Sequence, residues 1–119
     1  MLTNIRILRP GAEDEVQEFD LPKEPGYDRL KAIIEPILCG RLERVSVLAD
    51  FNCGEDFEPL DMFVDDEGQI KGLPRNEEAT TLYRRANQLG LTAAPKAQHP
   101  EFLHFIAGPA ILFSRRVWF

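Results

Sequence analysis

The chain has 119 residues, 44% hydrophobic and 29% charged, the balance of one globular domain with a modest core rather than of a disordered segment. No apolar run approaches the roughly 20 residues of a membrane span, and the first residues carry Arg6 and Arg9 where a secretory signal would be apolar. These features point to a single domain, 1–119, in the cytoplasm. The net charge of −6 is uneven, because residues 1–60 hold 7 Lys+Arg against 13 Asp+Glu while residues 61–119 hold 7 of each. An acidic surface disfavours nucleic-acid backbones and membranes and suits a basic protein partner.

Residues 2–8 alternate Leu2, Ile5 and Ile7 against polar neighbours, Pro10-Gly11 marks a turn, and Glu15 to Phe19 alternates again. This predicts an N-terminal hairpin over 2–20 with an acidic loop. After the breaker-rich segment 22–26, Tyr27, Leu30, Ile33, Ile34 and Ile37 form the apolar face of a helix. Pro36 predicts a distorted last turn or a stop near Glu35, and Cys39-Gly40 a C-terminal stop. Residues 42–49 and 60–64 read as strands, with a turn at Asp65 to Gly68 and a short return through Gln69-Ile70. Asn76 predicts the cap of a second helix over 76–88, with Glu77 and Glu78 in its first turn. Its stripe is Ala79, Leu82, Tyr83 and Ala86, with Arg84, Arg85 and Gln88 facing water. Residues 91–101 read as a loop, and 110–117 as a last strand ending in Trp118-Phe119. The order β-β-α-β-β-(β)-α-β predicts an α+β fold: an antiparallel sheet of about five strands with both helices packed on one face.

The sequence carries no evident catalytic or metal-binding pattern. His99 and His104 lie five residues apart, with no Cys or carboxylate at ligand spacing. A calcium loop centred on Gly68 would need Phe63 and Pro74 as oxygen ligands. Neither a phosphate-binding glycine loop nor a nucleophile elbow occurs. No carboxylate is marked by an apolar setting, and Cys39 and Cys53 read as free thiols. No catalytic residue, metal site or cofactor is expected.

The residues that stand out for binding are the acidic group Glu13, Asp14, Glu15 and Glu18, and the terminal pair Trp118 and Phe119, whose rings must either enter the core or meet a partner. Self-association through the C-terminal strand is the further reading of that end.

A run of motifs carries a resemblance over residues 30–112. Cys39-Gly40-Arg41-Leu42-Glu43 follows the first helix, Val64-Asp65-Asp66-Glu67-Gly68 ends a strand, Leu73-Pro74-Arg75-Asn76-Glu77-Glu78-Ala79-Thr80 opens the second helix, and Gly108-Pro109-Ala110-Ile111-Leu112 begins the last strand. In this order they resemble an uncharacterised family of bacteria, phages and mobile elements, the domain of unknown function 3846. Cys39 and Arg41 stand where that family carries glycine and an aromatic residue, and Asp65 where it carries asparagine. The resemblance implies a compact α+β domain, a phage or plasmid origin and no established activity. Gly40, Glu43, Gly68, Leu73, Pro74, Asn76, Ala79, Thr80 and Gly108 are its motif positions, and each also has a structural explanation.

The expectation is a non-enzymatic accessory protein, inhibitory or host-modulating, that binds an unidentified protein through its acidic face. The alternatives are an enzymatic or small-ligand site near Cys39–Arg41 and Asn76, and nucleic-acid binding through Arg84, Arg85, Arg115 and Arg116.

Overall fold

The computed structural model describes residues 1–47, 60–88 and 105–118. Alternating apolar residues give β1 (Leu2–Leu8) and β2 (Glu15–Asp20), followed by α1 (Tyr27–Leu38), β3 (Leu42–Val47), β4 (Leu60–Asp65), α2 (Glu77–Gln88) and β5 (Ala110–Phe113). Among the described residues the strands form one antiparallel sheet in the order β2-β1-β5-β4-β3. The α+β class, the five strands and the two helices are those expected from sequence.

The helices do not share a face of the sheet. Ile7, Ile111 and Phe63 stand side by side in register and pack with Leu30, Ile34 and Leu38 of α1. Their neighbours Leu8, Ala110 and Val64 point the other way and pack with Ala79, Leu82 and Ala86 of α2. Because side chains alternate along a strand, these two clusters lie on opposite sides of the sheet. The expectation of two helices on one face is therefore corrected to one helix on each. The residues of β5 are buried on both faces, as a central strand requires.

The end of α1 falls at the expected Cys39-Gly40 stop, and two other boundaries differ. The helix α1 continues through Pro36 to Leu38 and ends where Cys39 takes the left-handed conformation at φ 54°, its N–H donating to the Glu35 carbonyl at 2.8 Å. Residues 66–72 form turns, so the short strand through Gln69-Ile70 does not occur. The last strand stops at Phe113, and Ser114 to Trp118 form an irregular tail.

Two side chains hold that tail. Arg115 donates to Thr3 Oγ1 at 2.9 Å and to the Lys23 and Pro22 carbonyls at 2.8 Å each. Buried Asp61 accepts the Val117 N–H at 2.7 Å, the Trp118 N–H at 2.8 Å and Arg44 Nε at 2.8 Å. One clamp reaches toward the first hairpin and the other comes from the β3–β4 pair.

Candidate functional site

The first hairpin carries the most accessible charged surface of those the sequence singles out. Every residue from Gly11 to Val16 is exposed, as are Glu18 and Asp20. Glu15 pairs with Arg9 at 2.7 Å across the loop, and that hydrogen bond holds its carboxyl below the usual range. Asp14 reaches the first turn of α2. Burial first, then the hydrogen bond and charge of Asp14, raise the Glu78 carboxyl, against the opposing pull of Arg6. The four acidic residues chosen from sequence thus lie along one loop and strand, joined by Glu78.

The strand β2 is an edge of the sheet. Met1 and Leu21 exchange hydrogen bonds with each other, at 2.9 and 3.0 Å. Antiparallel pairs alternate, so Thr3–Phe19, Ile5–Gln17 and Ile7–Glu15 are the bonded pairs of β1 and β2. The backbone groups of Val16, Glu18 and Asp20 consequently face outward. Val16 is 63% exposed and Leu2 69%, and α2 covers neither, since its cluster reaches β1 only at Leu8.

The motif positions around Asn76 form a junction, and Asn76 also borders a surface depression beside Glu13 and Glu78. Asn76 is 2% exposed and its amide bonds at both ends. Nδ2 donates to the Leu8 carbonyl at 2.8 Å and the Gly108 carbonyl at 2.9 Å, while Oδ1 accepts the Ala79 N–H at 3.1 Å. Thr80 Oγ1 accepts the Ile106 N–H at 2.9 Å, and the Pro74 carbonyl accepts the Gly108 N–H at 2.8 Å. Gly108 has φ 84° and Leu73 lies where a Cβ would project, which explains glycine there. The motif docks residues 106–108 against the start of α2.

A second junction surrounds Asp65. Its buried carboxylate accepts Lys71 Nζ at 2.7 Å and the Glu67 N–H at 2.9 Å, and it fills the space that a side chain at Gly40 would need. The ammonium of Lys71, in turn, is held above its usual range chiefly by that hydrogen bond. Arg41 bonds the neighbouring Asp66 Oδ2 at 2.8 Å. Glu43 is exposed, and Cys39 is exposed with its thiol donating to the Pro36 carbonyl at 3.5 Å. A depression of about 320 Å³ is lined in part by Glu43, Asp65, Asp66, Tyr83 and Phe105. It includes neither Cys39–Arg41 nor Asn76, so it does not join the two segments of the small-ligand alternative.

The remaining candidates separate. Trp118 is half-buried, packing 6.0 Å from Phe63 and edge-on to Tyr27 at 6.0 Å, beneath the Arg44 guanidinium at 5.9 Å. Phe119, Cys53, His99 and His104 lie outside the described residues. The strand β5 is paired on both edges, which leaves the C-terminal strand no open edge for dimerisation by strand pairing. Arg115 is engaged on the α1 side through Thr3, whereas Arg84 and Arg85 ride on α2 beyond the sheet and are half-buried rather than facing water. Arg115 therefore does not converge with Arg84 and Arg85.

Sequence reasoning missed the roles of Asp61 and Asp65, which are 1% and 6% exposed among the apolar residues of β4, and it missed Glu78 as a carboxyl raised by burial. The signal was present in Leu60-Asp61-Met62-Phe63-Val64-Asp65, where two acids share the face of Phe63. It also missed Arg115 as a clamp.

Fold and surface together define an α+β domain with a helix on each side of an antiparallel sheet and an acidic hairpin at one edge. Comparison with protein-family models, curated proteins and solved structures finds no match.

Proposed function

We propose that the domain is a non-enzymatic cytoplasmic binding protein that engages a basic protein partner through its first hairpin. The observation that carries this reading is the exposure of Glu13, Asp14, Glu15 and Glu18 on one loop and edge strand, beside exposed Val16 and Leu2. Charge complementarity of this kind steers encounter and selects partners more than it adds affinity. The motif residues of the small-ligand alternative are engaged within the fold, which supports a structural role for them.

The reading extends to an accessory or host-modulating factor of a phage or plasmid, on the resemblance to the domain of unknown function 3846. Cys39 supports that alignment, because it takes a positive φ at the position where that family carries glycine.

The test is recovery of partners by affinity purification with the wild-type chain and with Glu13, Asp14, Glu15 and Glu18 all changed to Lys. A specific partner should be lost or strongly depleted with the variant. Unchanged recovery would overturn the acidic-face reading.

A further inference from the structure

We infer that the partner segment is extended and basic, and that it binds as a sixth strand along the outer edge of β2. The inference rests on the acidic-hairpin reading and deepens it by naming the mode of recognition.

Three observations converge. First, β2 lies at the end of the sheet, and no described residue pairs with its outer side. The hydrogen-bond alternation turns the N–H and C=O groups of Val16, Glu18 and Asp20 outward. An added strand would bond to these groups, the mode by which extended peptides augment an exposed sheet edge.

Second, the side chains of the same three residues share one face with Leu2, Asn4 and Arg6. A strand paired with β2 would place alternate side chains directly opposite Val16, Glu18 and Asp20. Lys or Arg opposite Glu18 and an apolar residue opposite Val16 would match those two positions, while Asp20 already pairs with the Met1 ammonium at 2.8 Å.

Third, charge weighs against a second copy of this chain in the register that centres β2 on Glu18. An antiparallel pairing of two β2 strands centred on Glu18 sets carboxylate against carboxylate, and like charges directly opposite are destabilising. Thus the charges that repel a second copy are the ones that attract a basic strand.

The probe is a blocked peptide alternating Lys and Val, tested by calorimetry on the full chain at low and at physiological salt. Its partner is the same peptide N-methylated on alternate residues, which keeps charge and side chains but removes the donors that would face β2. Strand addition predicts binding of the parent, weakening by at least about tenfold on methylation, and slowed hydrogen exchange at the Val16 and Glu18 amides. It also predicts weaker parent binding to a Val16→Pro variant, since proline there removes an N–H that faces away from β1 and leaves all four acids in place. Equal binding of the two peptides, both weakened by Glu18→Lys, would overturn strand addition and leave the acidic-face reading standing. Binding of both that is indifferent to Glu18→Lys and to salt would overturn the two together. No binding of the parent peptide would overturn the strand mode, with the acidic face then judged by partner recovery alone.

Discussion

At the scale of single residues, Asn76 does three jobs with one amide. It caps α2 through Oδ1, holds the Leu8 carbonyl at the end of β1, and holds the Gly108 carbonyl of the chain entering β5. Asn76→Ala removes the cap and strands two buried carbonyls, so a loss of about 2–4 kcal/mol is expected in urea denaturation. Fluorescence of Trp118, the only tryptophan, reports the transition. Asn76→Asp should cost more, because its carboxylate would face the Leu8 and Gly108 carbonyls that now accept from Nδ2. Glu78 gives a prediction of pH dependence. Its carboxyl is raised by burial and by Asp14, so the folded state favours the protonated form. That contribution is complete below the ordinary glutamate range and is lost as pH rises through the raised value. Glu78→Gln should therefore stabilise the fold at neutral pH, on the order of a few tenths of a kcal/mol given how much of the group water still reaches. The advantage should vanish in melting curves taken near pH 4.

At the scale of elements, α1 shows where local rules bend. Pro36 lies on its exposed side and removes one backbone donor from the last turn. Burial of Leu30, Ile34 and Leu38 outweighs that loss, which is why the helix runs past Pro36 to its stop at Cys39-Gly40. Pro36→Ala should raise stability by about 1–3 kcal/mol in chemical denaturation, the amount an interior proline costs. The elements themselves were legible because Ile5 and Ile7, the stripe of α1 and the cap at Asn76 follow simple periods. The layering was not read correctly, although a sign of it was present. The unbroken apolar runs Met62-Phe63-Val64 and Ala110-Ile111-Leu112-Phe113 are what a strand needs when both its faces are covered. Of the site, the acidic loop was legible from composition alone. The roles of Asp61 and Arg115 were not, because each bonds residues more than fifty positions away, a pairing that periodicity does not encode.

At the scale of the whole molecule, the sheet consists of two hairpin-like pairs, β1–β2 and β3–β4, joined through β5. The tail clamps reinforce the same joint from each side. A chain ending before Gly108 should retain little cooperative structure, because Ile5, Ile7, Phe63 and Val64 would lose their central neighbour. Far-ultraviolet circular dichroism and hydrogen exchange on the truncated chain check this, and a native-like melting transition would contradict it.

The central place of β5 has a consequence in time. The segment that closes the sheet is made after both pairs it must join. At a synthesis rate of roughly 5–20 residues per second, the inner edges of β1 and β4 stand complete for on the order of seconds before their shared neighbour emerges. During that interval the chain presents two unpaired edges at once, and both are apolar. A nascent chain stalled between α2 and β5 is thus the species most prone to wrong pairing, and slowing translation across that stretch should lower the yield of folded protein more than slowing it anywhere upstream.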